Sequence, residues 1–321
     1  MNEIIKEISY IGIVPVIALN DVKDAEPLAK ALIDGGLPCA EVTFRTAAAE
    51  ESIRIISQKF PQMLVGAGTV LTTEQVDRAI AAGAKFIVSP GLNSKIVKYC
   101  LEKNITIIPG CANPSDVEVA IELGLDVVKF FPAEAAGGLN MIKSMAAPYT
   151  NMKFMPTGGI SAKNLNSYLD FNKIVACGGS WMVNNDLIKA GDFAGITKLT
   201  KEAVATMLGF QLRHVGINTE SETEAQNVAG AFDNLFGFQS DNRKNGIFAG
   251  TAFEVMKFKF LGKNGHIAIM TNYADRAYYH LMKKGVKFNM ETENRDEATG
   301  QLKTIYLQDE IGGFAIHLLQ K

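Results

Sequence analysis

The feature that most constrains this fold is a strand-and-helix unit that repeats eight times between residues 13 and 180. Each unit opens with a short apolar run that ends in small or polar residues and is followed by a helical segment. The eight apolar runs are Ile13–Leu19, Cys39–Phe44, Leu64–Val70, Phe86–Pro90, Ile105–Pro109, Val127–Ala133, Lys153–Thr157 and Ile174–Gly178. Strands that alternate with helices form a parallel sheet with right-handed crossovers. Eight such units predict an α/β fold that closes into a (β/α)8 TIM barrel.

An open, doubly wound sheet is the alternative architecture. That fold would place a glycine-rich nucleotide-binding turn after its first strand. The first apolar run here is followed by Asn20-Asp21, which is not such a turn. The pattern therefore favours the barrel.

The pattern of the chain changes after about residue 208. The rest of the sequence is richer in charges and divides into two similar halves, which begin near His214 and His266. Each half starts with His and three mostly apolar residues, continues into one helix and then into further strands. Internal duplication of a βαβββ unit explains this pattern. We therefore expect a barrel over residues 1–208 and a smaller α+β domain of two βαβββ units over residues 209–321.

Composition excludes several classes of partner. The net charge is -2, with no basic block, which argues against nucleic acid or an anionic membrane. No apolar run approaches the roughly 20 residues of a membrane span, and Met1–Tyr10 is typical of an amphipathic helix rather than a signal peptide. The four cysteines lack a CxxC motif, which indicates buried thiols in a reducing compartment. We expect a cytoplasmic protein.

Lys129 is the first candidate for chemistry. It lies in the sixth apolar run, and a strand covered on both faces should be almost entirely apolar. Desolvation favours the neutral amine, which is a nucleophile toward ketones and forms Schiff bases with them. The structural alternative is a lysine that extends from a strand end to solvent.

The second apolar run carries a carboxylate and a guanidinium. Alternation along a strand places Glu41, Thr43 and Arg45 on one face. An internal salt bridge is the structural explanation. The functional one is a carboxylate that transfers protons beside an arginine that binds a substrate carboxylate through paired hydrogen bonds.

The last two barrel runs end in paired glycines, Gly158-Gly159 and Gly178-Gly179. Glycine lets backbone N–H groups approach an anion, and phosphate sites of barrels often follow the seventh and eighth strands. An amine, a carboxylate, an arginine and an anion cradle together indicate a metal-independent aldolase for a phosphorylated 2-keto acid. The alternative is a phosphate-binding isomerase or epimerase in which Lys129 only pairs with Glu41.

Residues 10–208 resemble the 2-dehydro-3-deoxy-phosphogluconate and 4-hydroxy-2-oxoglutarate aldolase family, which are class I aldolases. The motifs that carry the resemblance occur in family order. They are Glu41-Val42-Thr43-Phe44-Arg45-Thr46, Gly66-Ala67-Gly68-Thr69-Val70, Ser89-Pro90-Gly91, Lys129-Phe130-Phe131-Pro132-Ala133-Glu134, Pro156-Thr157-Gly158-Gly159-Ile160 and Gly178-Gly179-Ser180-Trp181.

The resemblance implies that Lys129 forms the Schiff base and that Glu41 is the general acid and base. It assigns the substrate contacts to Arg45 and Thr69 (pyruvate carboxylate), Pro90 and Phe131 (apolar wall), Thr157 (polar chain) and Gly158, Gly159, Gly179 and Ser180 (phosphate). The implied reactions release pyruvate, with glyceraldehyde 3-phosphate from the phosphorylated sugar acid or with glyoxylate from 4-hydroxy-2-oxoglutarate. The family needs no cofactor, and its members are usually homotrimers.

The C-terminal segment resembles the vicinal-oxygen-chelate, or glyoxalase-like, superfamily. The resemblance implies a divalent metal such as zinc or nickel, bound by His214, Glu254, His266 and His317, with His317 in place of the usual Glu. Two alternatives remain: a degenerate repeat whose histidines are structural, and a non-catalytic module for oligomerisation or effector binding.

Overall fold

The structure is a computed structural model that describes all 321 residues. The chain divides into two compact units, Met1–Met207 and Leu208–Lys321. The strands of the first unit are β1 Ile13–Ile17, β2 Cys39–Thr43, β3 Leu64–Gly68, β4 Phe86–Val88, β5 Thr106–Ile108, β6 Gly110–Cys111, β7 Val127–Phe130, β8 Lys153–Pro156 and β9 Cys177–Gly179.

Ten helices accompany these strands, besides a short 3-10 turn at Val22–Asp24. They are α1 Glu3–Ile11, α2 Ala25–Asp34, α3 Ala49–Lys59, α4 Thr73–Ala81, α5 Ser94–Glu102, α6 Pro114–Glu122, α7 Gly138–Ala146, α8 Leu165–Leu169, α9 Asn185–Ala190 and α10 Phe193–Leu208.

Strand pairing on one side and a direct chain connection on the other close the barrel. One parallel sheet has the order β5-β4-β3-β2-β1-β9, and a second has the order β6-β7-β8. The bridge between Thr157 and Gly178 joins the two sheets on one side. On the other side the chain itself continues from β5 to β6 through Pro109. The eight-unit prediction is confirmed as a (β/α)8-like barrel.

Most predicted strands are a few residues longer than the observed ones, and three of the differences have a local structural cause. Pro109 has no N–H to donate, and it separates β5 from β6 inside one predicted run. The sixth run ends at Phe130, and the next residues form a turn that begins with Phe131-Pro132. The eighth strand starts at Cys177, because Ile174 makes only an isolated bridge to Phe154. The first two shifts lie at the carboxyl end of the strands, which carries the predicted site, whereas the third lies at the opposite end of the barrel.

Local sequence explains where the helices begin. The Thr72 side chain accepts a hydrogen bond from the Gln75 N–H at 3.2 Å, and the Gln75 side chain accepts one from the Leu71 N–H at 2.7 Å. This reciprocal arrangement satisfies backbone donors that helix α4 would otherwise leave open. Asn113 caps α6 in the same way, immediately before Pro114.

Most of the buried residues of the first unit are apolar. All four cysteines are buried and free, as their scattered positions predicted; they are Cys39, Cys100, Cys111 and Cys177. No helix in the structure combines the length and the apolar character that a membrane span requires.

The second unit contains two βαβββ repeats. The first repeat comprises β10 Gln211–Ile217, α11 Glu222–Phe236, β11 Ser240–Asn242, β12 Gly246–Ala249 and β13 Phe253–Met256. The second comprises β14 Gly265–Thr271, α12 Ala274–Lys283, β15 Phe288–Arg295, β16 Leu302–Leu307 and β17 Phe314–Gln320. The eight strands form one sheet in the order β11-β12-β13-β10-β14-β17-β16-β15. The two halves of this sheet are therefore arranged alike about the β10–β14 contact.

Candidate functional site

Lys129 and Glu41 lie together inside the barrel. The Lys129 Nζ is 3.2 Å from the Glu41 Oε1, and the two side chains are 7% and 0% exposed. Lys129 lies on β7 and Glu41 on β2, and the two residues are 88 positions apart in the sequence. A buried lysine in this position does not extend to solvent. The alternative in which Lys129 extends to solvent is therefore wrong. The salt bridge between Lys129 and Glu41 is present.

The second oxygen of Glu41, Oε2, is buried and has no hydrogen-bond partner. A buried carboxylate normally satisfies both oxygens, because an unpaired charge away from water is costly. Gly68 on the neighbouring strand makes room for this carboxylate, since a Cβ at position 68 would lie 2.2 Å from the Glu41 Oε1. The sequence thus positions an incompletely paired carboxylate beside an amine, an arrangement that fits proton transfer.

Two further predicted residues surround the lysine. The Lys129 Nζ lies 5.3 Å from the centre of the Phe131 ring. On the neighbouring strand, Gly110 pairs in register with Lys129, and the Pro90 carbonyl packs so closely on Gly110 that a Cβ there would lie 2.0 Å from it. Phe131 and Pro90 therefore both flank the segment that carries the amine.

Arg45 lies beyond the end of its strand. Strand β2 stops at Thr43, and the exposed Arg45 side chain turns back so that its Nε donates to the Thr43 Oγ1 at 3.1 Å. The Thr43 hydroxyl in turn donates to the Ile17 carbonyl at 2.8 Å. The expected alternation thus holds for Glu41 and Thr43, and Arg45 is placed by a hydrogen bond instead.

Thr69 adopts a backbone conformation that β-branched residues rarely take. Its φ is 55°, in the left-handed region. Such residues persist where the surroundings impose them, and they cluster at functional sites. Thr69 follows β3 directly, so it lies at the same barrel end as the predicted substrate residues.

Thr157 contributes an unsatisfied hydroxyl. It is buried, its Oγ1 has no hydrogen-bond partner, and a Cβ at Gly178 would lie 2.3 Å from that oxygen. The glycine on the adjacent strand therefore leaves the space that the hydroxyl occupies. A substrate hydroxyl or carboxylate would supply the missing partner.

The Gly158-Gly159 turn is held from two sides. Both glycines have positive φ, 102° and 80°, which favours glycine at each position. The Glu134 N–H donates to the Gly158 carbonyl at 3.0 Å, and the Glu134 side chain fills the space where a Gly159 Cβ would lie. The Asn164 side chain donates to the Gly159 carbonyl at 3.1 Å. The turn thus presents a fixed backbone to the barrel end.

Arg45 and Ser180 line one cleft of about 590 Å³. Its other lining residues include Trp181, which belongs to the motif at Gly178–Trp181, and Asp186 and Lys189, to which the sequence assigned no role. The Trp181 ring occupies the space that a Cβ at Gly179 would need. The one sequence signal for these residues is that they follow the eighth strand, where phosphate sites of barrels often lie. Lys129, Glu41 and the Gly158-Gly159 turn do not line this cleft.

The chain matches the family described as KDPG and KHG aldolase over residues 3–199, and it belongs to that family. It is 49% identical over 204 residues to the 2-dehydro-3-deoxy-phosphogluconate aldolase of Treponema pallidum, covering 64% of this chain and 97% of the relative. The KHG/KDPG aldolase of Escherichia coli K12 is 44% identical over 192 residues, covering 60% of this chain and 90% of the relative.

Solved structures support the same assignment. The KDPG aldolase of Legionella pneumophila, with pyruvate captured at low pH as a covalent carbinolamine intermediate, gives a TM-score of 0.61 at 37% identity. That match covers 63% of this chain and 98% of the other. The protein is therefore an enzyme, a carbon–carbon lyase of the aldolase class, rather than an isomerase or epimerase. The family match ends at residue 199, so it leaves the second unit outside.

The second unit brings three histidines together. Their ligand atoms lie within 4.8 Å of one another, and all three side chains, His214, His266 and His317, are buried. Two of these rings meet Glu254: the His214 Nε2 and the His266 Nε2 are each 3.2 Å from the Glu254 Oε2 and 3.1 Å from each other. Atoms that share a metal at about 2.1 Å are roughly 3.0–3.4 Å apart. The three measured separations fall in that range.

The cluster perturbs its own ionisation. Burial acts to raise the pKa of Glu254, but hydrogen bonds from His214 and His266 outweigh it and lower that pKa to about 2. Burial, with repulsion from the other two histidines, lowers the pKa of His317 to about 4. The carboxylate is thus ionised and the His317 ring neutral at pH 7, which are the forms that bind a metal.

One ring nitrogen of His317 is held and the other is open. Its Nδ1 lies 3.0 Å from the Thr304 Oγ1 and 3.3 Å from the Leu318 carbonyl, whereas its Nε2 is buried without a hydrogen-bond partner. Metal-binding histidines commonly have one nitrogen fixed by such a partner. His266 differs, because its Nδ1 has no partner. The sequence analysis missed Thr304, since only the β16–β17 pairing brings it to His317.

Proposed function

We propose that the barrel cleaves a phosphorylated 2-keto-3-deoxy sugar acid to pyruvate and glyceraldehyde 3-phosphate, through a Schiff base on Lys129. The observation that carries this proposal is the buried Lys129–Glu41 pair, 3.2 Å apart, with one carboxylate oxygen unpartnered. The names of the relatives, which are aldolases for 2-dehydro-3-deoxy-phosphogluconate, support the substrate class.

The first half of the reaction forms the Schiff base. Glu41 first takes a proton from the Lys129 ammonium, and the neutral amine then adds to the C2 carbonyl of the substrate and gives a carbinolamine. Glu41, within hydrogen-bond reach of the amine nitrogen, delivers the proton that lets the C2 hydroxyl leave as water. The product of this step is an iminium ion at C2.

The second half breaks the carbon–carbon bond. Glu41, now ionised, takes the proton of the C4 hydroxyl as the C3–C4 bond breaks. The bonding electrons move into the iminium and form an enamine, and glyceraldehyde 3-phosphate leaves. Glu41 then returns its proton to C3, and water hydrolyses the imine to release pyruvate and regenerate Lys129.

The remaining residues bind the two ends of the substrate. Arg45 and Thr69 would bind the pyruvate carboxylate; Pro90 and Phe131 flank Lys129 and would cover the apolar side. Thr157 would bind the polar chain, and the phosphate would rest on Gly158, Gly159, Gly179 and Ser180. The shorter substrate 4-hydroxy-2-oxoglutarate would bind in the same way and would yield pyruvate and glyoxylate.

Pyruvate release measured on the full-length protein tests this proposal. Phosphorylated 2-keto-3-deoxy sugar acids should give the highest kcat/KM, 4-hydroxy-2-oxoglutarate a lower value, and Lys129→Met none above background. Lys153→Met, a change in β8 outside the proposed site, is the matched control and should remain active. Turnover of a phosphorylated keto acid without pyruvate would contradict the proposal.

For the second unit we propose a glyoxalase-like metal domain. His214, Glu254, His266 and His317 fit a divalent ion. The spacing of the first three matches shared coordination, the ligand atoms of the three histidines lie within 4.8 Å of one another, and the His317 Nε2 is buried without a partner. A bound divalent ion would supply Lewis-acid chemistry to an oxygen ligand. The observation that carries this proposal is the convergence of four donors from four strands.

Metal content of the full-length protein tests the second proposal. The native protein should retain about one divalent ion per chain after dialysis, and Glu254→Gln together with His266→Gln should lose it. His280→Gln, in the histidine of α12 outside the cluster, is the control and should retain the ion. A native protein that binds no zinc, nickel or cobalt would leave the histidines a structural role.

Two further expectations also remain proposals. We infer a homotrimer, which the family resemblance supports, and mass measurement in solution tests it. A cytoplasmic location is consistent with four free cysteines, and cell fractionation tests it.

A further inference from the structure

The four candidate ligands occupy equivalent places in the two repeats. His214 and His266 lie on the central strands, 52 positions apart (266 − 214), and the sheet pairs β10 with β14 antiparallel. Glu254 pairs in register with Gly216, and His317 pairs with Ala268, again 52 positions apart (268 − 216). The second repeat therefore carries an imidazole where the first carries a carboxylate.

Small residues allow the ligands to meet across the sheet. One row runs from Glu254 through Gly216 to His266, and a second from His214 through Ala268 to His317. A Cβ at Gly216 would lie 2.0 Å from the His266 ring. The ring therefore lies over the glycine and toward Glu254, so the sheet register fixes both rows.

The difference between Glu254 in the first repeat and His317 in the second sets the net charge of the site when a divalent ion is bound. Three neutral imidazoles and one carboxylate leave a net charge of +1 around a divalent ion (2 − 1), whereas a second carboxylate would leave none. No other acidic side chain contacts the three rings in the structure. A negatively charged ligand that completes the site would compensate the surplus positive charge.

The surroundings preserve that charge. The Tyr306 ring stacks on His317 with centroids 4.6 Å apart, and Phe248 meets His214 edge-on at 5.5 Å. Arg243 lies 4.1 Å from the Phe248 ring centre, on a side chain that also pairs with Asp241 at 2.8 Å. Aromatic walls lower the local dielectric, which strengthens the attraction between a charged site and an anion.

We propose that the metal centre of the second unit selects an anionic oxygen ligand over a neutral one, because His317 occupies the position of a second carboxylate. The inference rests on the proposed metal site. It concerns the charge of the ligand and thus extends the proposed domain function to a class of substrate.

Full-length protein loaded with cobalt(II) tests the inference. The visible absorption of the ion reports any ligand that enters its coordination sphere, so acetate and its neutral isostere acetamide can be titrated separately. Acetate should bind the native protein at least about tenfold more tightly than acetamide. His317→Glu should weaken acetate binding by about tenfold and leave acetamide unchanged, whereas His317→Gln, which keeps the site charge, should retain the preference.

The outcomes separate the two proposals. A native protein that takes up no cobalt(II) would overturn the metal site itself. A protein that binds cobalt(II) but accepts acetate and acetamide equally would overturn only the anion preference, as would equal acetate affinity in His317→Glu and His317→Gln. If His317→Glu failed to fold or to bind metal, the native comparison of acetate with acetamide would still decide.

Discussion

The substitution Gly68→Ala tests whether the space beside Glu41 has a catalytic purpose. A Cβ at position 68 would lie 2.2 Å from the Glu41 Oε1, and ordinary contact begins at 3.4 Å, so the carboxylate must move by about 1.2 Å (3.4 − 2.2). A misplacement of about 1 Å costs roughly 100-fold in rate. We therefore expect kcat for pyruvate release to fall by about 100-fold, which corresponds to about 2.7 kcal/mol.

Gly66→Ala is the matched control for this change. It lies two residues earlier, on the same face of β3, and its Cβ would lie 2.3 Å from the buried Phe86 ring rather than from Glu41. Both variants overpack the barrel and should lose about 1–3 kcal/mol of unfolding free energy. Only Gly68→Ala should lose most of its kcat.

A coupled assay that follows pyruvate by NADH oxidation measures kcat, and thermal unfolding reports stability for both variants. The reasoning is refuted if Gly68→Ala, folded to the same extent as Gly66→Ala, retains a kcat within about threefold of its control. In that case the position of the Glu41 carboxylate would not limit the reaction.

Three other predictions concern the same barrel. Lys189→Met removes an exposed cation from the cleft that Arg45 and Ser180 line. It should raise the KM for phosphorylated substrates by about fivefold at low salt and leave the KM for 4-hydroxy-2-oxoglutarate unchanged. Lys198→Met is the control and should change neither KM. Thr157→Val removes a buried hydroxyl that has no partner, so steady-state kinetics should show a higher KM while the thermal midpoint stays equal or rises; a lower midpoint would contradict this. Burial raises the pKa of Cys39, Cys100 and Cys111, to about 12 for Cys111, and all four cysteines are buried. A thiol reagent at pH 8 should therefore label none of them before unfolding, and rapid labelling of the native protein would be the contrary result.

The barrel could be predicted from the sequence because its signal is periodic. Each apolar run has the length of a strand and is followed by a helix, so the number and order of the strands follow directly. The proximity of Lys129 and Glu41 also followed, since strand alternation and barrel closure direct both inward. Pro109 could have indicated the break between β5 and β6, because it lacks an N–H.

The details of the site could not be predicted in this way. Arg45 is positioned by a hydrogen bond to Thr43 after the strand has ended, and no periodicity describes a residue in a turn. The cleft that contains Lys189 depends on the path of the chain after β9. In the second unit, Thr304 contacts His317 only because of the register between β16 and β17. That register cannot be read from the sequences of the two repeats.

Borohydride trapping with pyruvate, followed by peptide mapping, tests the central claim most directly. Reduction should convert the Schiff base into a stable secondary amine on Lys129, and the adduct should be absent from Lys129→Met and formed more slowly in Glu41→Gln. An adduct on a different lysine, or pyruvate release without any trapped adduct, would contradict the assignment of Lys129 as the nucleophile.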